Sequence, residues 1–177
     1  TWEKYADDPA LAGSTKTGRF LRTIELPGDG VFGFTIVITS RAGRGRTPPR
    51  PGEAPQMRVE IDSVPPVAQL APPIPDTTRP NTLLLRWQAK DKNLTPRPIS
   101  LEWAERRDGP WQPIALDIEN TGQHSWTLPP TIPVQVYLRL RAKDAAGNES
   151  VAVTNEPQLV DLSEPEGRLL GISTPRP

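Results

Sequence analysis

The chain of 177 residues contains no cysteine and a single histidine. Without cysteine there can be no disulfide framework, no thiolate nucleophile and no thiolate metal site, and one histidine cannot assemble a His-rich zinc centre. Cysteine usage therefore says nothing about the compartment. Long apolar runs are also missing. None approaches the roughly 18 residues that cross a bilayer, and the opening lacks the charged-then-apolar wording of an export signal, which sets the expectation of a soluble segment. Charge of one sign is not in excess either. With 21 basic against 21 acidic residues, the electrostatic footprint of a general nucleic-acid binder is absent. Helix is scarce as well, because 23 prolines each remove a backbone donor and clash with a preceding helical turn. One turn is expected at "DDPALAG", where Asp8 would cap it ahead of Pro9.

What the sequence does contain is alternation of apolar and polar residues with period two, the mark of strands with one buried face. "LLLRWQA" puts Leu83, Leu85, Trp87 and Ala89 on one side, and "ISLEWAE" does so with Ile99, Leu101 and Trp103. "VYLRLRA" turns Val136, Leu138, Leu140 and Ala142 inward and Tyr137, Arg139 and Arg141 outward. Hairpin signals lie between these segments: Asp108-Gly109 in "RRDGPW", and "DAAGN" ahead of Val151 and Val153. Many short strands separated by turns indicate an all-β sandwich.

The stretch 1–62 also reads as a second copy of 110–163. "TWEKYA" matches "PWQPIA", and "TIELP" matches "SWTLP". "FGFTIVITSRAGR" matches "VYLRLRAKDAAGN", which places Phe32, Phe34, Ile36 and Ile38 at the inward positions of Val136, Leu138, Leu140 and Ala142. Val59 of "VEID" then answers Val160 of "VDLS", and "DSVPPVAQLA" is answered by "LSEPEGRLLG". The expected organisation is the C-terminal part of one repeat at 1–63, a complete repeat at 64–163, and a linker with the first strand of a further repeat at 164–177. The chain would then be a window on a longer array. Its incomplete first repeat would expose a core face and a strand edge, open to closure by another copy, by the tail "RLLGIS" or by upstream strands.

The complete repeat resembles fibronectin type III and related bacterial immunoglobulin-like domains. "LLLRWQAKD" is similar to their second strand with its inward tryptophan, here Trp87, and "LPPTIPVQVYLRLRAKDAAGN" to their sixth strand and following turn. One departure is that the inward position near the start of the sixth strand falls on Val136 while Tyr137 faces outward, so the tyrosine corner is missing. The resemblance implies tandem immunoglobulin-like β-sandwiches, the first incomplete. It also implies a non-enzymatic role as a spacer or protein-interaction module of a larger exported bacterial protein, in the periplasm or at the cell surface. Fold alone does not fix function.

Candidate chemistry is thin. His124 in "QHSWTL" reads as an outward strand residue alternating with Trp126, with no nucleophile-elbow motif nearby. Asp117 and Glu119 read as solvated carboxylates. Calcium is the more physical possibility, since it needs a cluster of oxygen ligands. In a fibronectin-like topology the loops "DKNL" and "KDAAGNES" share the end where a preceding domain joins, so Asp91, Asn93, Asp144 and Asp62 would converge there. "A-x-D-x-x-G-N" is similar to wording in calcium-stiffened cadherin-like arrays. Against this, "TSRAGRGR" carries Ser40 and Arg44 where the complete repeat has Asp144 and Asn148, and the plainer reading is a turn in which Gly147 and Asn148 adopt positive φ.

The loop "RAGRGRTPPRP" carries Arg41, Arg44, Arg46 and Arg50 but no interleaved aromatic platform, so it reads as solvated and not as a phosphate grip. Trp2 and Trp111 occupy equivalent places after a hairpin, where an exposed indole could stack on a glycan or anchor a protein partner, while Trp87, Trp103 and Trp126 belong to the core. A carbohydrate-binding accessory module and a calcium-stiffened adhesin segment are the alternatives to the spacer.

Overall fold

The computed structural model describes residues 2–3, 23–38, 42 and 44–160. These residues form strands and turns, with no helix among them. The helical turn expected at 7–13, the strand expected at the start of a further repeat (164–177) and Arg41 lie outside the described residues. The chain divides into two compact units, Thr1–Ser63 and Val64–Pro177.

In the first unit β1 (Gly30–Phe34) and β2 (Met57–Ile61) pair antiparallel, with Phe32 opposite Val59 and Phe34 opposite Met57. Alternation decides the faces: Phe32, Phe34, Val59 and Ile61 are half-buried, while Val31, Arg58 and Glu60 are exposed. The β2 end is fastened by Asp29, whose carboxylate accepts from the Ser63 N–H at 3.1 Å and the Ser63 hydroxyl at 2.9 Å. Ile36 and Ile38 depart from the inward placement the repeat suggests, being 68% and 71% exposed. The ladder ends at Phe34. Beyond it the Gln56 side chain, not a strand, accepts the Ile36 N–H at 3.0 Å.

The second unit is a β-sandwich. One sheet runs in the order β10 (Glu149–Val153), β9 (Gln135–Asp144), β6 (Leu94–Ala104), β7 (Gln112–Ile118), with β11 (Gln158–Leu159) also paired to β9. In the other, β3 (Val67–Leu70), β4 (Ile74–Pro75) and β8 (Gln123–Thr127) all pair with β5 (Thr82–Lys90). Every pairing is antiparallel.

The core is made from the alternate residues read off the sequence: Leu83, Leu85 and Trp87 of β5 face Ile99, Leu101 and Trp103 of β6 and Val136, Leu138 and Leu140 of β9. Trp103 and Trp126 meet with ring centroids 6.5 Å apart. The buried Trp87 indole donates to Asn120 Oδ1 at 2.9 Å, and Asn120 Nδ2 donates in turn to the Ala89 carbonyl at 2.9 Å. The polar edge of the ring is thus satisfied, as a buried indole requires.

Prolines set the limits of several strands. The segment "SVPPVAQLAPPIPDTTRP", whose proline content reads as a linker, contains β3 and β4. Pro65, Pro66, Pro72 and Pro73 fall outside those strands, where no ladder donor is lost. β6 begins earlier than the alternation suggests, but its pairing with β9 shifts register between Leu94 and Ile99, across Pro96 and Pro98. The strand after β9 is also broken. Thr154 follows β10 and its hydroxyl accepts the Leu138 N–H at 3.1 Å, before the chain rejoins β9 as β11.

Candidate functional site

Three of the sequence-derived calcium ligands meet in the second unit, at the turns after β5 and β9. Leu94 pairs with Asp144, bringing the two turns together, and the Ala145 N–H donates to the Asn93 carbonyl at 2.9 Å. Asp91 Oδ1 accepts the Asn93 N–H at 2.8 Å, a local side-chain turn. Asp91 and Asp144 each present a carboxylate oxygen, the two within 4.8 Å of one another. Asn93 Oδ1 is buried with no hydrogen-bond partner. Asp62 belongs to the first unit, directly after β2.

Asp144 is also a structural residue. It is 1% exposed. Burial alone would raise its pKa, but hydrogen bonds from the Asn148 side chain and from the backbone N–H groups of Asn148, Gly147 and Ala146 outweigh it and hold the carboxyl below its ordinary value. Asn148 donates through its backbone N–H to Oδ1 and through Nδ2 to Oδ2, both at 2.8 Å. Gly147 takes φ +95°, as the turn reading requires, but Asn148 is not among the residues with positive φ. Its role is to clamp Asp144, and glycine alone supplies the left-handed backbone.

Trp111 lies against the outward face of the β9 sheet. The Arg139 guanidinium sits 4.3 Å from its ring centroid and donates through Nε to Glu102 Oε2 at 2.7 Å. Glu102 and Arg139 are opposite each other in the β6–β9 ladder. One indole face is therefore already taken by a cation, and Gly109 closes against the ring edge, where an added Cβ would lie 3.0 Å from Trp111 Cδ1. Trp2 is half-buried over Gly33 of β1, where an added Cβ would lie 3.7 Å from its Cη2. Farther along β9, Arg141 and Glu149 form a two-pronged pair at 2.9 and 2.8 Å. The pair raises the arginine pKa and lowers that of the glutamate. Alternation showed that Arg139 and Arg141 face outward, but not their partners, since Glu102 lies far from Arg139 in sequence and only the register of β6 on β9 joins them.

His124 corrects the outward reading. It is two residues from Trp126 and so shares its face; it stands opposite Leu85 as Trp126 stands opposite Leu83. It is half-buried because β8 runs at the margin of the sandwich, where an open cleft of about 390 Å³ is lined by Arg97, Asp117, Glu119, Thr121 and His124 among others. Burial lowers its pKa from 6.5. The folded state thus disfavours the imidazolium, so stability is full above the unfolded-state pKa and declines as pH falls below about 6.5 towards the folded value. We expect His124→Gln to flatten this decline in urea titrations at pH 7.5 and 5.5, and an unchanged slope would show that the histidine is not its source. Asp117 and Glu119 line the same cleft and are exposed. Among the described residues no nucleophile is hydrogen-bonded to His124. Arg44, Arg46 and Arg50 are exposed, as read for the basic loop.

No family model matches the chain, and comparison with curated proteins and with solved structures likewise gives no match.

Proposed function

We propose that the chain is a non-enzymatic spacer and protein-interaction segment of a larger exported bacterial protein, built from tandem immunoglobulin-like, fibronectin type III-like repeats with the first incomplete. The observation that carries this reading is an antiparallel return strand present in both units, although its register in the second unit is two residues from the one the sequence match implies. In the first unit β2 returns along β1, setting Val59 opposite Phe32. In the second, β11 returns along the start of β9 with Gln158, not Val160, opposite Val136, and the Val160 N–H donates to the Val134 carbonyl at 2.9 Å. A tryptophan lies against β1 in one unit and β9 in the other, Trp2 over Gly33 and Trp111 over Arg139.

The charged side chains of Glu102, Arg139, Arg141 and Glu149 are engaged in bridging neighbouring strands. Between β2 and β3 the chain passes through residues 62–66, a short connection that includes Pro65 and Pro66. Such a connection limits reorientation of what it joins. Replacing both prolines with glycine should broaden the distance distribution between spin labels placed one in each unit, and an unchanged distribution would remove the linker from the explanation.

The glycan-binding alternative is weakened by Arg139, which already occupies a face of Trp111. The calcium reading is favoured by one observation: Asn93, whose backbone joins the Asp91 turn to the turn after Asp144, has a buried Oδ1 without a partner. A hard cation would satisfy such oxygens. Calcium at tenfold excess over its dissociation constant would then raise stability by about 1.4 kcal/mol. This gain should disappear in Asp91→Asn, and no change in melting temperature at millimolar calcium would rule the site out.

A further inference from the structure

β2 has one edge on β1 and, among the described residues, no strand on the other. An unpaired edge presents a row of backbone donors and acceptors to any strand of matching pattern. The pattern of β2, "MRVEI", is complementary to itself. If a second β2 runs antiparallel to it about Val59, Arg58 stands opposite the partner copy's glutamate 60, and Glu60 opposite its arginine 58. Both pairs fall on one face, since Arg58 and Glu60 are two residues apart in a strand.

The other face joins apolar to apolar. Met57 meets isoleucine 61, Val59 meets its own counterpart, and the half-buried row of Phe32, Phe34, Val59 and Ile61 becomes continuous across four strands. Within one copy the two charges have no such match, because β1 places Gly33 opposite Arg58 and Val31 opposite Glu60. Neither makes an ion pair among the described residues. A two-stranded hairpin is marginal alone, whereas four strands with one apolar face are a stable unit, so pairing also completes the sheet.

We propose that two copies of this chain associate through antiparallel β2–β2 pairing centred on Val59, a closed two-fold interface whose register is set by the Arg58–Glu60 cross-strand pairs. The interface is independent of the spacer and calcium readings. It predicts a reversible dimer in sedimentation velocity of the full 177-residue chain across roughly 10 µM to 1 mM. Arg58→Glu sets like charges opposite each other at both symmetric pairs, as does Glu60→Arg, and each should weaken association about tenfold or more.

The double variant Arg58→Glu with Glu60→Arg restores opposite charges across the axis and should recover the dimer. These side chains are exposed. Circular dichroism of each variant should therefore match the parent, separating lost association from lost folding. A chain that stays monomeric throughout this range overturns the proposal. So does a dimer that tolerates both single reversals, or one that the double reversal fails to restore.

Discussion

Leu140→Ala should destabilise the second unit by about 2–5 kcal/mol, among the largest losses any single substitution in the chain could cause. Leu140 is fully buried, and lies opposite Leu101 of β6 on one side and Ala152 of β10 on the other. Truncation forfeits the transfer free energy of the removed carbons and leaves a cavity that two hydrogen-bonded ladders keep from collapsing. The measurement is chemical denaturation followed by tryptophan fluorescence, since Trp87, Trp103 and Trp126 are buried in the same core. The same substitution at Leu116, which is 53% exposed on β7, should cost little by comparison. Equal losses at the two positions would contradict the placement of the core.

Arg139→Ala should cost about 2–3 kcal/mol, below the full penalty for breaking a buried ion pair because the arginine side chain is 21% exposed. The loss has two sources. Glu102, 11% exposed in its side chain, loses its 2.7 Å partner and is left as a largely desolvated carboxylate, and Trp111 loses the guanidinium against its ring. Which source dominates can be decided by removing the carboxylate as well. Arg139→Leu combined with Glu102→Leu replaces the pair with apolar groups and should recover most of the loss, because a buried pair is worth little against well-packed hydrophobic residues. If the double variant is as unstable as Arg139→Ala, the contribution comes from the Trp111 contact instead.

These two predictions differ in how far they could be reached from sequence. Leu140 announces its burial through alternation, because a strand with one covered face writes its period into the chain. The same holds for Leu83, Leu85, Ile99 and Val136, and the turn at Gly147 is written in its composition. The Arg139–Glu102–Trp111 cluster is not written anywhere locally, since it depends on which residues the β6–β9 register sets opposite each other and on where the β6–β7 hairpin carries Trp111. His124 shows the converse failure. The period is legible there, but the outward reading puts the histidine on the wrong face, since a residue two from Trp126 must share that residue's side.

Ile36 and Ile38 carry apolar alternation that the first unit does not bury, because alternation shows only what a strand could cover. The resemblance to fibronectin-like loops sets the expectation that Asp62, Asp91, Asn93 and Asp144 converge, and within the second unit the Asp91 and Asp144 carboxylates do approach one another. The unpartnered Asn93 oxygen is not legible in the sequence, since satisfaction of a single atom depends on the packed turn.

The proposed spacer role requires that the two units keep a restricted orientation. It is tested most directly by pulsed dipolar spectroscopy between one nitroxide in each unit. The absence of native cysteine makes exposed sites such as Glu53 and Glu105 specifically addressable after Glu53→Cys and Glu105→Cys substitution. The spacer account predicts a single narrow distance distribution for the parent chain that broadens when Pro65 and Pro66 are both replaced by glycine. A parent distribution as broad as that of a flexible linker, indifferent to the prolines, would contradict it.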